Sequence, residues 1–138
     1  YSFRSFYIPG FGMGGLNPEN TAAQQQAYAE CRKIAPCMFG DYYPLTAYSR
    51  QTDQWIAWQF NRPQQGDGVI QAFRRKENQQ ESQTYRLQGL DPAAEYELTN
   101  FDAETSTKAS GKELMETGLT VPIKNTPGSA IIMYRRVP

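Results

Sequence analysis

Five aspartates (Asp41, Asp53, Asp67, Asp91, Asp102), two cysteines (Cys31, Cys37) and a glycine cluster are the residues whose types could do chemistry. Positioned carboxylates can move protons or attack a substrate carbon. Each aspartate, however, falls at a predicted turn or strand end, where Asp is favoured because it bonds its own backbone. All five therefore read as turn or surface residues. The chain has no histidine, which removes Ser–His and Cys–His nucleophilic catalysis. Two cysteines without histidine do not make a usual structural zinc site. A helix is expected between Cys31 and Cys37, which makes a mutual disulfide awkward, so both read as buried free thiols. Gly10-Phe11-Gly12-Met13-Gly14-Gly15 holds a G-x-G spacing. It lacks the strand–glycine–helix frame of a dinucleotide site and reads as a loop whose glycines let the backbone turn tightly.

The elements that must position these residues come from one modest domain. The chain has 138 residues, 39% hydrophobic and 20% charged, with formal net charge +0. That composition is globular rather than disordered. The balanced charge gives no electrostatic support to a nucleic-acid or anionic-membrane partner, and no apolar run is long enough to span a bilayer. There is no initiator Met, and Tyr1-Ser2-Phe3 begins as if in mid-strand. The expectation is a piece of a longer chain.

Tyr1 to Ile8 is aromatic and extended in character, so a strand is expected. Pro9 then opens the glycine loop. Asn17-Pro18-Glu19 is a helix start: a capping residue, proline at the first position, and an acid at the positive end of the dipole. Ala23, Ala27, Cys31 and Ile34 or Ala35 recur on one helical face, with Gln24, Gln25, Glu30 and Lys33 opposite. Pro36 ends the helix. Strand, loop and helix have the form of one βα unit, which cannot bury itself alone. The helix stripe is therefore expected to lie exposed unless an upstream domain covers it, and to favour self-association if it does not.

Gly40 to Pro44 marks a boundary, after which the apolar period changes from helical to alternating. Strands are expected over Gln54–Phe60, Val69–Arg74, Thr84–Leu90, Ala94–Asn100, Ala103–Ala109, Leu119–Lys124 and Ala130–Arg136. Trp55, Ala57 and Gln59 face one way, and Ile56, Trp58 and Phe60 the other. Asn61 to Gly68 is a loop. The Thr-rich Ala103–Ala109 segment suits an exposed edge. Ser110 and Glu113 offer a capping box over a short helix, Gly111–Glu116, closed by Gly118. Ala130–Arg136 is apolar on both sides and should be central. About seven short strands at such spacing make an antiparallel sandwich or barrel.

Six stretches carry a resemblance: Phe39-Gly40-Asp41-Tyr42-Tyr43-Pro44-Leu45-Thr46; Trp55 to Pro63; Gln71 to Arg75; Arg86 to Pro92 with Tyr96 to Asn100; Lys112 to Met115; and Met133 to Arg136. Together they resemble the C-terminal region of glycoside hydrolase family 36 α-galactosidases. The resemblance implies a mainly β fold: an antiparallel β-sandwich (40–138) preceded by a strand–loop–helix segment (1–39) similar to the last βα unit of a (β/α)8 barrel. It also implies retaining hydrolysis of terminal α-galactosides by two aspartates, with no metal or other cofactor. Such carboxyls stand about 5–5.5 Å apart. No position here matches either motif, so no catalytic residue is assigned to this chain. The implied partners are an upstream catalytic barrel of the same chain and an α-galactoside substrate, with homo-oligomer formation left open. Barrel enzymes build their sites at the C-terminal ends of the strands. If Tyr1–Tyr7 is the last strand, Arg4 and Ser5, with the Pro9–Gly15 loop, lie at that rim as the candidate substrate-binding residues.

Two other readings stand beside this one. An independent carbohydrate-binding module could use Tyr42, Tyr43, Tyr48, Trp55 and Trp58 as stacking rings. Trp55 and Trp58 are three apart on a strand, however, and so point to opposite sheet faces. A structural or oligomer-forming β domain of another glycosidase is the third.

Overall fold

The computed structural model of the chain describes residues 1–8, 18–103 and 105–138. The 3-10 turn Arg4–Phe6 comes first, and a second, Pro18–Asn20, leads into helix α1, Thr21–Ile34. A 3-10 extension, Ala35–Phe39, carries the chain to strands β1 (Asp41–Pro44), β2 (Trp55–Arg62), β3 (Asp67–Arg74), β4 (Ser82–Tyr85), β5 (Glu95–Asn100) and β6 (Ser106–Ser110). Helix α2 (Gly111–Glu116) and strands β7 (Leu119–Pro122) and β8 (Gly128–Arg136) complete it.

Six strands form one antiparallel sheet in the order β1-β2-β3-β8-β5-β6, and β4 pairs with β7 in a second. Alternation along the strands divides the large sheet into two faces. Trp55, Ala57, Ile70, Ala72, Ile132 and Tyr134 point toward β4–β7 and α2, where Tyr85, Leu114 and Val121 close the main core. Phe60, Val69 and Ile131 point the other way, against Tyr7 and the α1 residues Ala27, Cys31 and Ile34. The sheet is thus covered on both faces, and the architecture is the mainly β, antiparallel two-sheet fold expected.

One side chain crosses a strand inside the main core. Tyr134 on β8 lies over Gly68 on β3, where an added Cβ would meet its hydroxyl at 2.2 Å. The hydroxyl donates to Asn61 Oδ1 at 2.7 Å and accepts from Gln59 Nε2 at 2.8 Å, both on β2. Gln59 also donates to the Gln88 carbonyl, and Asn61 to that of Gly89. These buried amides are therefore satisfied, as polar groups in a core must be.

Several local expectations hold. β8 is central, between β3 and β5, and β6 is an edge paired only with β5. The Ser110 hydroxyl accepts from the Glu113 amide at 3.0 Å, and Gly118 takes φ 98° just past α2. Cys31 and Cys37 are free and buried. Trp55 and Trp58 do face opposite sides of the sheet, Trp55 in the main core and Trp58 against the α1-side core.

Other expectations are corrected. Tyr1–Ile8 is not a strand. Ser5, Phe6 and Tyr7 amides bond back to the carbonyls of Tyr1, Phe3 and Arg4, so the segment closes on itself. The stripe of α1 is not left exposed: Ala27, Cys31 and Ile34 pack on the sheet of this same chain. Its phase also differs, with Gln24 buried and Ala23 exposed. Within the Gly40–Pro44 stretch lies a strand not expected, Asp41–Pro44, at the sheet edge, where proline is tolerated because it need not donate. The β2–β3 loop is shorter than expected. Both strands run on to Arg62 and Asp67, whose side chains pair at 2.6 and 2.8 Å across its base. The segment read as a strand over Thr84–Leu90 ends at Tyr85, although Leu87 stays buried. The Asn17 cap and the Pro9–Gly15 loop lie outside the described residues.

Candidate functional site

Arg4, the first of the two candidate substrate residues, sits on the Arg4–Phe6 turn and reaches three other elements. Its Nε and Nη2 donate to Glu30 of α1 at 3.0 and 2.8 Å. Its Nη1 and Nη2 donate to Asp102, in the turn after β5, at 2.6 and 2.7 Å. Nη1 also reaches the Ser129 carbonyl on β8 at 3.2 Å. A guanidinium has five N–H donors in a rigid fork, and these five bonds use all of them. The Tyr7 hydroxyl, just past Arg4's own turn, joins the cluster by donating to Glu30 Oε2 at 3.1 Å. Ser5 points elsewhere, its hydroxyl donating to the Ser2 carbonyl at 2.7 Å on the exposed side of the turn. The structure therefore does not bring Arg4 and Ser5 together.

Arg4 and Glu30 are nearly closed to solvent, at 11% and 12% exposure, whereas Asp102 is half open at 50%. Burial alone lowers the pKa of Arg4, but the hydrogen bonds and negative charge of Asp102 and Glu30 outweigh it, and the net direction is up. Burial raises the pKa of Tyr7, and the charge and hydrogen bond of Glu30 push it further. Both shifts favour a charged Arg4 beside a neutral Tyr7 phenol. An ion pair of this kind is strongly felt when one partner is removed, because the other charge is left uncompensated.

A groove of about 380 Å³ opens beside the clamp, lined by Tyr1, Arg4, Gln26, Glu30, Asp102 and Asn125 among others. The other aspartates are dispersed at strand ends and turns, as their type suggested: Asp41 and Asp67 open β1 and β3, and Asp91 accepts from the Ala93 amide in its turn. Among the described residues no group of three or more His, Cys, Asp and Glu is placed to hold a metal. Nor is any helix there long and apolar enough to cross a membrane. Glu30 and Asp102 are 26 and 98 residues from Arg4, a separation that leaves no spacing signal in the sequence.

The aromatic residues proposed for sugar stacking do not share a platform. Trp55 is 5% exposed, its indole N–H spent on Asn78 Oδ1 at 2.9 Å. Trp58 donates to Gln71 on the opposite face. Tyr42 and Tyr48 are exposed on separate segments.

This geometry gives a two-sheet β domain with a clamped helical flank and no assembled reaction centre among the described residues. Residues 55–134 match the model of the glycosyl hydrolase family 36 C-terminal domain. The chain belongs to this family. Its fold is shared with the galactosidase domain of the α-galactosidase–sucrose kinase AgaSK, at TM-score 0.69 and 22% identity over 88% of this chain and 17% of that one. The family 36 α-galactosidase AgaA from Geobacillus stearothermophilus aligns with the same score and identity over 88% and 16%. An α-galactosidase from Lactobacillus brevis gives TM-score 0.69 at 15% identity over 89% and 17%. The chain thus spans about a sixth of the length of these solved relatives. No curated protein matches it by sequence.

Proposed function

We propose that this family 36 domain is the non-catalytic C-terminal portion of an α-galactosidase-like retaining glycoside hydrolase, and that it supports a catalytic barrel in the same polypeptide. The observation that carries this reading is the family match across β2 to β8, the strands that build both cores. The solved relatives support the substrate class: AgaA variants have been captured with raffinose and with stachyose. The dispersal of this chain's aspartates agrees with chemistry performed elsewhere, since retaining hydrolysis needs two carboxyls on either side of one bond.

Residues 1–39 are read as the tail of the catalytic barrel, leading into the β domain of residues 40–138. The clamp of Arg4, Glu30 and Asp102 is well suited to that junction, because it fixes the entry of the chain against α1 and the sheet. A rim contact between Arg4 or Ser5 and sugar remains part of the proposal. The saturation of Arg4 makes exposed Ser5 the better placed of the two. The test is hydrolysis of a chromogenic α-galactoside by the full-length parent and by this chain, side by side. Activity in the parent alone is expected. Activity in this chain alone, or in neither, overturns the reading.

A further inference from the structure

The connections before β2 and β4, residues 45–54 and 75–81, enclose with the strands they lead into a groove of about 730 Å³. Asn78 ties its parts together. Its Oδ1 accepts from the Trp55 indole at 2.9 Å and from the Gln80 amide at 2.8 Å, and its Nδ2 donates to the Asp53 carbonyl at 2.6 Å. Arg74, 5% exposed, anchors Asn78 in turn, donating from Nε and Nη2 to its carbonyl at 3.2 and 2.9 Å. The two connections are also latched to each other. The Glu77 amide donates to the Thr52 carbonyl at 3.1 Å, the Thr52 hydroxyl to the Glu77 carboxylate, and the Arg75 guanidinium to the Gln51 carbonyl. The groove is therefore formed before a ligand arrives, which spares the ligand the cost of ordering it.

The chemistry of its wall is specific. Four glutamines line it beside Asn78, Asp53 and Glu77 carry its charges, and none of the lining residues is a lysine or an arginine. A side-chain amide both donates and accepts, as an alcohol hydroxyl does, so this wall suits a neutral molecule dense in hydroxyl groups and offers nothing to an anion. Trp55 and Tyr85 add an apolar part to the wall. Tyr85 also supplies an independent observation. It is 6% exposed and lines the groove, and its hydroxyl is the one buried side-chain polar atom without a hydrogen-bond partner among the described residues. A buried hydroxyl left unpaired costs free energy, and such groups are rare enough to need a reason. We propose that this groove binds a neutral saccharide, whose hydroxyls pair with the glutamine amides, with Asp53 and, innermost, with Tyr85. Its recognition rests on amides within one groove rather than on the scattered rings of Tyr42 and Tyr48.

The experiment is a titration of the chain with raffinose, an uncharged trisaccharide, followed by proton–nitrogen correlation NMR. The two tryptophans provide the readout and its control. The Trp55 indole N–H belongs to the groove, and that of Trp58 donates to Gln71 on the opposite sheet face. The Trp55 signal is expected to move saturably while the Trp58 signal stays. No movement at Trp55, movement that never saturates, or equal movement at both overturns the proposal. An anionic galacturonate trimer should leave Trp55 in place, and binding as tight as that of raffinose overturns the neutral class. Tyr85→Phe should weaken raffinose binding about fivefold, the worth of one hydrogen bond. It should do so without loss of stability, because the hydroxyl has no partner to lose in the free chain. Unchanged affinity, or a less stable chain, overturns the role of Tyr85. Asp53→Ala, at an exposed position, leaves the cores untouched and should weaken binding by a similar factor.

Discussion

The two faces of the six-stranded sheet are built from the same strands and held by different physics. Toward β4, β7 and α2, the core is closed by the chain's own aliphatic and aromatic side chains, and its polar atoms are locked in the Gln59–Tyr134–Asn61 network. Toward α1, a smaller core is overlaid by one helix and pinned at its margin by ions, Arg4 between Glu30 and Asp102. The first face depends on shape complementarity in a dense interior, which tolerates little change. The second depends on a charge cluster that fastens a terminal turn and helix to a sheet already complete without them. The lesson is that the β scaffold and its helical layer should fail separately.

The largest effect should come from Gly68. Gly68→Val places side-chain atoms where the Tyr134 hydroxyl now lies. It is expected to lower unfolding stability by about 3 kcal/mol or more, as overpacking a tight core does. Urea unfolding followed by tryptophan fluorescence measures it, and a loss under 1 kcal/mol would show that the ring can move aside. Next is Arg4→Met. Removing the cation leaves the charge of Glu30 nearly buried with no counter-ion and only the Tyr7 hydroxyl as partner, at a cost of about 3 kcal/mol. Hydrogen exchange should then speed up in α1 while β3 and β8 keep their protection. Equal loss in both regions would abolish the distinction between the faces.

Tyr134→Phe should cost about 2 kcal/mol, because Gln59 and Asn61 lose a partner without losing their burial. Here β-sheet and helix should unfold together, the opposite signature to the Arg4 variant. Alkaline pH should strike both faces. Burial raises the pKa of Tyr7 on one side and of Tyr85 and Tyr134 on the other. It pushes Cys37 from 9.0 to about 11. In each group the unfolded chain loses its proton first, so stability is intact below the unfolded pKa and falls as pH rises beyond it. For Cys37 that window runs from pH 9.0 to about 11, and Cys37→Ala should flatten that part of the stability–pH curve. The smallest effect belongs to Tyr48→Ser. This exposed position lies outside both cores and should change stability by less than about 0.5 kcal/mol.

Much of this division was legible in the residues. Ala130–Arg136 carries apolar side chains on both faces, and that doubling marked β8 as a central strand. The same signal, taken further, would have identified the partner of α1: Phe60, Val69 and Ile131 needed a cover, and Ala27, Cys31 and Ile34 needed a surface. Periodicity shows that a helix has a stripe but not what lies against it, so an upstream partner was expected instead. The Tyr1–Ile8 strand was inferred from aromatic content, a preference that reflects packing context more than backbone, and the local turn prevailed. β1 was hidden by Pro44 and by its shortness. The α2 cap was readable because Ser110 and Glu113 act at a fixed short spacing. The clamp was not, since its members come from opposite ends of the chain.

Tyr134 passing over Gly68 has one more consequence. Sliding β8 along β3 by two residues would preserve every inward and outward alternation, so hydrophobicity alone hardly forbids it. That slip would set the tyrosine opposite Ile70, where a branched side chain blocks the crossing. The glycine therefore works as a notch that admits one alignment and rejects its near neighbours. β2, β3 and β8 share that alignment or lose it together.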